Sequence, residues 1–198
     1  MDEKKKKKLD EKMKMRFGSR ILDFFKLIPP TSQANQPCYD KYGRYLGWYS
    51  RSMASALFAF CKDKDGDWCV LASERGIEAA DFRGMWNCPC GYLDRDATTK
   101  ECAVRECFEE TGIRLPISSL TFIAYEDDPI TANRQNVTFR FAAKIEDKFT
   151  DDFKFSKKGN EGEEVGEIKW IKVKDISNYE WAFNHDKRIK EIYLKNIF

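Results

Sequence analysis

Glu106, Glu109 and Glu110 crowd three carboxylates into five residues next to Arg105. At about 100° per residue they share one arc of a helix roughly 100° wide, while Ala103, Val104, Cys107, Phe108 and Thr111 fill another. One arc packs and the other carries charge. Carboxylates this close repel one another unless a cation sits among them, and hard oxygen donors suit a divalent ion such as Mg²⁺ or Mn²⁺. Arg105 lies four residues from both Glu101 and Glu109 and can pair with either, which leaves Glu106 and Glu110 without a cation at helical spacing. A solvated acidic helix face is the competing account of so short a cluster.

The helix that must position them has readable ends. Thr98-Thr99-Lys100-Glu101 has the Ser/Thr-x-x-Glu form of a capping box, Gly112 suits a left-handed closing residue, and Pro116 follows. The expected span is about Thr99 to Thr111.

The run from Gly91 to Ile113 resembles the Nudix hydrolase box. Gly91, Arg105, Glu106, Glu109, Glu110, Gly112 and Ile113 match that pattern in identity and spacing, and Cys107 takes an apolar position. Ala97 stands where the pattern has its first glutamate, so Asp94, Asp96 or Glu101 must supply any help expected from that carboxylate. The resemblance implies a Nudix-like α/β/α sandwich with a mixed sheet. It also implies a metal-dependent pyrophosphohydrolase in which Glu106, Glu109 and Glu110 hold Mg²⁺ or Mn²⁺, Arg105 belongs to the catalytic group, and water attacks a phosphorus.

In this family the base often lies outside the box, on a loop before a late strand. The acidic run from Glu161 to Glu167 occupies such a place, with Glu164 first choice, Glu163 second and Glu167 third; a solvated acidic loop is the plain alternative. Arg75 can meet a substrate phosphate, with Arg134 and Arg140 weaker candidates. Gly91 and Trp86 are assigned to substrate binding. Trp48, Tyr49 and Trp86 could stack on a nucleobase, although large aromatics more often belong to the core. Trp181 to Lys187 is similar to the Phe-Ala-Phe-Asp-His phrase that opens the last helix in many Nudix proteins, with Asn184 or Asp186 as cap and His185 structural or pocket-lining.

Pro129, 16 residues past the box, resembles a marker of the ADP-ribose pyrophosphatase branch. The favoured substrate is therefore a nucleoside diphosphate linked to another moiety, ADP-ribose-like or a nucleotide sugar. Dinucleoside polyphosphates, oxidised nucleoside triphosphates and capped RNA ends stay open. Two other classes compete: a nucleotide-binding sensor that does not cleave, which Ala97 favours slightly, and an isomerase using Cys88 or Cys90 with a glutamate.

The 198 residues, 42% hydrophobic and 14% aromatic, can bury one good core. Residues 1–30 carry ten Lys/Arg against five Asp/Glu, leaving the rest at 25 against 28, so the body is no basic platform for DNA. Seven scattered cysteines suit reduced thiols in a cytoplasmic protein better than disulfides, and their spacing is not that of a standard zinc site. No apolar leader follows the early lysines and no stretch approaches about 20 apolar residues.

The expected organisation is a basic tail and amphipathic helix over 1–30, a linker or entry loop over 31–50, and the catalytic domain over 51–198. Lys12 to Ile28 could dock on its own domain or on a second copy in a homodimer, or lie weakly on an acidic membrane surface; docking is preferred. Ala56 to Cys61 and Trp68 to Ser73 flank Asp65-Gly66 as a hairpin, and Met85 to Leu93 leads into the box. Leu120 to Tyr125, Val137 to Ile145 and Glu167 to Val173 read as strands, and Asp186 to Lys195 as a closing helix.

Overall fold

The computed structural model describes residues 36–128, 136–145, 155–156 and 163–198. The basic N-terminal helix, Pro129, Arg134 and Glu161 lie outside the described residues. The chain divides into two compact units at 51/52.

Within the first unit the structure differs from a linker. β1 (Gln36–Tyr39) and β2 (Tyr45–Tyr49) pair antiparallel, with an irregularity between Cys38 and Tyr39. The turn is closed by Asp40, whose carboxylate accepts the amides of Tyr42 at 2.8 Å and Arg44 at 2.9 Å and pairs with the Arg44 guanidinium. The hydrogen bond from the Arg44 amide is foremost in holding the Asp40 pKa below its ordinary value, against the opposing effect of burial, and the Arg44 guanidinium and the amides of Tyr42 and Gly43 add to it.

The second unit is built on a mixed sheet. β3 (Met53–Lys62) and β4 (Trp68–Arg75) form the expected hairpin, followed by β5 (Trp86–Asn87) and β6 (Cys90–Tyr92). The helix α1 (Thr99–Thr111) precedes β7 (Thr121–Glu126), β8 (Val137–Lys144) and β9 (Val165–Lys172), and α2 (His185–Lys195) closes the chain. The strands run β5-β4-β3-β8-β7, with β6 also paired to β3 and β9 to β4. β3 and β8 are parallel and the other pairs antiparallel.

β3 is buried on both faces because a helix covers each. Ala56, Phe58 and Phe60 pack with Ile189 and Ile192 of α2, while Leu57 and Ala59 pack with Ala103 and Cys107 of α1. Each fully buried Phe or Leu contributes about 1.5–3 kcal/mol relative to exposure. The result is the α/β/α sandwich the sequence implied. Among the described residues no helix is long and apolar enough to cross a membrane.

Beyond the end of β3 the chain turns at Asp63, whose Oδ1 accepts the amides of Asp65 and Asp67. Lys172 bonds to Asp63 and Asp67 at 2.9 Å and Lys174 reaches Asp67 at 2.6 Å, so the distal hairpin is clamped to β9.

Candidate active site

Local chemistry sets α1. The Thr98 hydroxyl accepts the Glu101 amide, the Glu101 carboxylate accepts the Thr98 amide at 2.7 Å, and Gly112 closes the helix at φ 79°. Ser55 Oγ donates to the Thr99 carbonyl at 2.8 Å and fixes the helix start over β3. Because Glu101 is engaged in the cap, Arg105 turns elsewhere. Its guanidinium pairs with Glu109 at 2.7 Å, Glu106 at 2.8 Å and Asp94 at 3.2 Å, and donates to the Tyr92 carbonyl. Burial opposes the charge on Arg105, but the three carboxylates outweigh it and raise its pKa. The helix does not divide cleanly into packed and charged arcs. Glu106 and Glu110 are 7% and 6% exposed, and Glu106 has Arg105 as a partner although the two are adjacent in sequence.

The cause is the close approach of β6. A Cβ on Gly91 would fall inside the van der Waals envelope of the Glu106 carboxyl carbon and both its oxygens, so only glycine lets this carboxylate lie against the strand. One residue earlier, the Cys90 amide donates to Glu110 Oε1 at 3.3 Å, and Ser73 Oγ of β4 donates to Oε2 at 3.2 Å. Glu106 and Glu110 thereby line a cleft of about 420 Å³ in which Gly91, Arg75 and Glu164 also take part. Glu109 is directed to Arg105 and does not line it.

Glu164 sits just before β9, where its carbonyl accepts the Gly76 amide at 2.7 Å. Gly76 is pressed so closely to this loop that a Cβ would collide with the Glu163 carbonyl, a backbone atom that cannot swing aside. Gly76→Ala should therefore cost about 1–3 kcal/mol, read as a lowered midpoint in urea. Glu163 is exposed and Glu167 pairs with Lys169 at 2.7 Å; neither lines the cleft.

Arg75 lines the cleft but is already held by Asp81, through Nη2 to Oδ1 and Nε to the carbonyl at 2.8 Å each. Its guanidinium lies 5.0 Å over the ring of Phe183. Trp86 must be reassigned. It is 8% exposed, packs edge-on against Tyr179 and belongs to the core rather than to the cleft wall. An aromatic type alone does not distinguish these fates. The side chains of Trp48 and Tyr49 lie outside the described residues.

The aromatic that does line the cleft is Phe183, held at φ 59° in a left-handed conformation that a bulky side chain rarely adopts. His185 beside it is 2% exposed, and its Nδ1 accepts the Cys88 amide at 3.0 Å. Asn184 occupies the cap position of α2 but makes no side-chain cap bond; its Oδ1 accepts from Lys187 instead. Ser73, Glu126 and Phe183 also reach the cleft, and only their three-dimensional setting shows it.

All seven cysteines are free. Burial first, with Glu110 next, pushes the Cys90 thiol up to about 12, and burial also raises the Cys88 thiol well above its ordinary value. Both shifts disfavour the nucleophilic thiolate, which argues against the isomerase reading.

Among the described residues no three acidic, imidazole or thiol groups converge as a ready cage for a metal. Arg105 draws Glu106 and Glu109 to itself, while Glu110 turns to Ser73 and Cys90. The donor set nevertheless fits a hard divalent ion: the cleft's charged lining comprises six carboxylates and two arginines, a surface that repels phosphates unless a cation intervenes.

A glutamate-bearing helix, capped at both ends and laid across a mixed-sheet cleft, defines a carboxylate-lined α/β/α sandwich. The chain belongs to the Nudix family, whose NUDIX domain model matches residues 52–193.

Among solved structures it is similar in fold to the NUDIX domain of Shewanella oneidensis NrtR complexed with ADP ribose. That match has TM-score 0.61 and 16% identity, covering 88% of this chain and 97% of that one. A bifunctional NMN adenylyltransferase/ADP ribose pyrophosphatase from Francisella tularensis, complexed with AMP and Mn ion, gives TM-score 0.57 at 19% identity, covering 73% and 42%. In sequence, 49 residues are 41% identical to Phosphatase NudJ of Escherichia coli strain K12, covering 23% of this chain and 32% of that protein. The chain thus spans about a third of the length of the curated relatives it matches.

Proposed function

We propose that the protein is a divalent-metal-dependent pyrophosphohydrolase acting on a nucleoside diphosphate linked to another moiety, with ADP-ribose-like compounds and nucleotide sugars favoured. The observation that carries this reading is the placement of Glu106 and Glu110, both nearly buried, on the wall of a cleft that Glu164 also lines. Glu106, Glu109 and Glu110 would hold Mg²⁺ or Mn²⁺, with Glu109 leaving Arg105 to do so. When bound, such an ion neutralises phosphate charge and promotes ionisation of water. Glu164 accepts the proton of the attacking water, Glu163 being the second candidate. Arg105 fixes the carboxylates, and Arg75, braced by Asp81, meets a phosphate oxygen. The preference for ADP-ribose-like substrates draws on the ADP ribose named with two of the similar structures and on Pro129. Seven free thiols favour a reducing compartment, and we assign the protein to the cytoplasm.

The test is cleavage of ADP-ribose, nucleotide sugars, dinucleoside polyphosphates and nucleoside triphosphates with Mg²⁺ or Mn²⁺. Metal-dependent release of two phosphorylated products from one class supports the proposal. Tight binding without cleavage of any class would replace it with the sensor reading and make Ala97 the residue to restore to glutamate.

A further inference from the structure

One rung of the sheet crosses the floor of the cleft. Ala56 of β3 is in register with Cys90 of β6 on one side and Arg140 of β8 on the other. Glu110 is fastened to the first end through the Cys90 amide, and Arg140 stands at the second. Two strand spacings, about 10 Å, separate the backbones of Cys90 and Arg140. The methyl group of Ala56 leaves the space above the rung open.

Arg140 is 4% exposed, and burial lowers its pKa although Glu126 opposes that shift. One terminal nitrogen, Nη2, pairs with Glu126 of β7. Nε and Nη1 have no hydrogen-bond partner among the described residues. A guanidinium is an unfavourable group to bury with idle donors, so these two nitrogens suit an acceptor brought into the cleft.

The surrounding charge selects the kind of acceptor. Arg188 Nη2 lies 3.9 Å from Glu126, Arg188 Nη1 pairs with Glu191 at 2.6 Å, and Glu191 also takes Lys195 at 2.8 Å. With Arg140 the network holds three cations and two carboxylates, so it keeps a positive charge, whereas Glu106 and Glu110 make the other end of the rung acidic. An anion is favoured at the arginine end. Thr138, whose hydroxyl accepts from Asn136 at 3.1 Å, adds a neutral polar group to the same wall.

We propose that Arg140 forms the centre of a second anion subsite, which takes a phosphate monoester carried on the far moiety of the substrate, beyond the scissile diphosphate. The direction in which the substrate lies rests on the hydrolase reading of Glu106 and Glu110; the subsite itself does not. The substrate class becomes a nucleoside diphosphate joined to a phosphorylated group.

The test is calorimetric titration of ribose 5-phosphate, inorganic phosphate and unphosphorylated ribose into the full chain with chelator present, so that no divalent ion contributes. Arg140→Gln removes the guanidinium, and Arg140→Met with Glu126→Gln removes the pair together, so that no unpaired carboxylate is left buried. The wild type should bind ribose 5-phosphate and not ribose, and both variants should bind at least about tenfold more weakly. Failure of the wild type to bind, or retention of its affinity in a folded variant, overturns the subsite. Equal affinity for inorganic phosphate overturns the assignment to a substrate-borne monoester. Because the titration needs neither metal nor turnover, a chain that cleaves nothing but binds as described loses the hydrolase reading and keeps this one.

Discussion

Glu106→Gln should lower turnover by on the order of 10³-fold, since a ligand charge facing an ion contributes several kcal/mol and each 1.36 kcal/mol is tenfold in rate. Folding should survive. Glutamine keeps the shape that fits against Gly91, and Arg105 retains Glu109 and Asp94 as partners, so no buried guanidinium is stranded. The measurement is kcat on whichever substrate the panel identifies, alongside the thermal midpoint of the same preparation. Turnover within a factor of a few of wild type would remove Glu106 from the ion site.

The comparison with Glu109→Gln separates two arrangements. Glu109 lies against Arg105 and away from the cleft. A loss matching that of Glu106→Gln means that Glu109 leaves Arg105 and joins the ion; a loss of only about 10–100-fold means that it acts by orienting its neighbours.

The contrast between these two glutamates also shows how far sequence reaches. The bounds of α1 could be read directly because a capping box and a left-handed glycine are local devices that need no tertiary partner. The hairpin of β3 and β4 was legible for the same reason, its turn being written in Asp65-Gly66. Burial of Glu106 and Glu110 was not, because it depends on β6 arriving against the helix at Gly91 and Cys90. The hairpin of β1 and β2 escaped notice because Asp40 closes it with its own carboxylate inside a segment of linker-like composition. Trp86 left its expected place, and Arg140 rose above a weaker candidate for a phosphate contact, for a related reason. The tryptophan was absorbed by the core, and the arginine was carried to the cleft by the parallel pairing of β3 with β8, a long-range contact that no periodicity announces. Asp94, three residues before Ala97, reaches Arg105 only because the loop folds back along the helix.

Gly91→Ala is expected to lower activity well beyond its effect on stability. The added methyl meets the far end of a side chain and not backbone, so the fold can yield by swinging the Glu106 carboxylate away. The cost in stability should remain near the low end of about 1–3 kcal/mol for overpacking. The displaced carboxylate, however, is the group that the cleft requires in one place, and a misplacement of about 1 Å can cost on the order of 10²-fold in rate. Gly76→Ala should behave in the opposite way, because its Cβ meets the Glu163 carbonyl and the strain falls on the main chain. Measuring kcat and the urea midpoint for the two variants together tests the logic. If Gly91→Ala turns over normally, or loses activity only in proportion to its unfolded fraction, the close approach of β6 to Glu106 is a packing feature without a catalytic role.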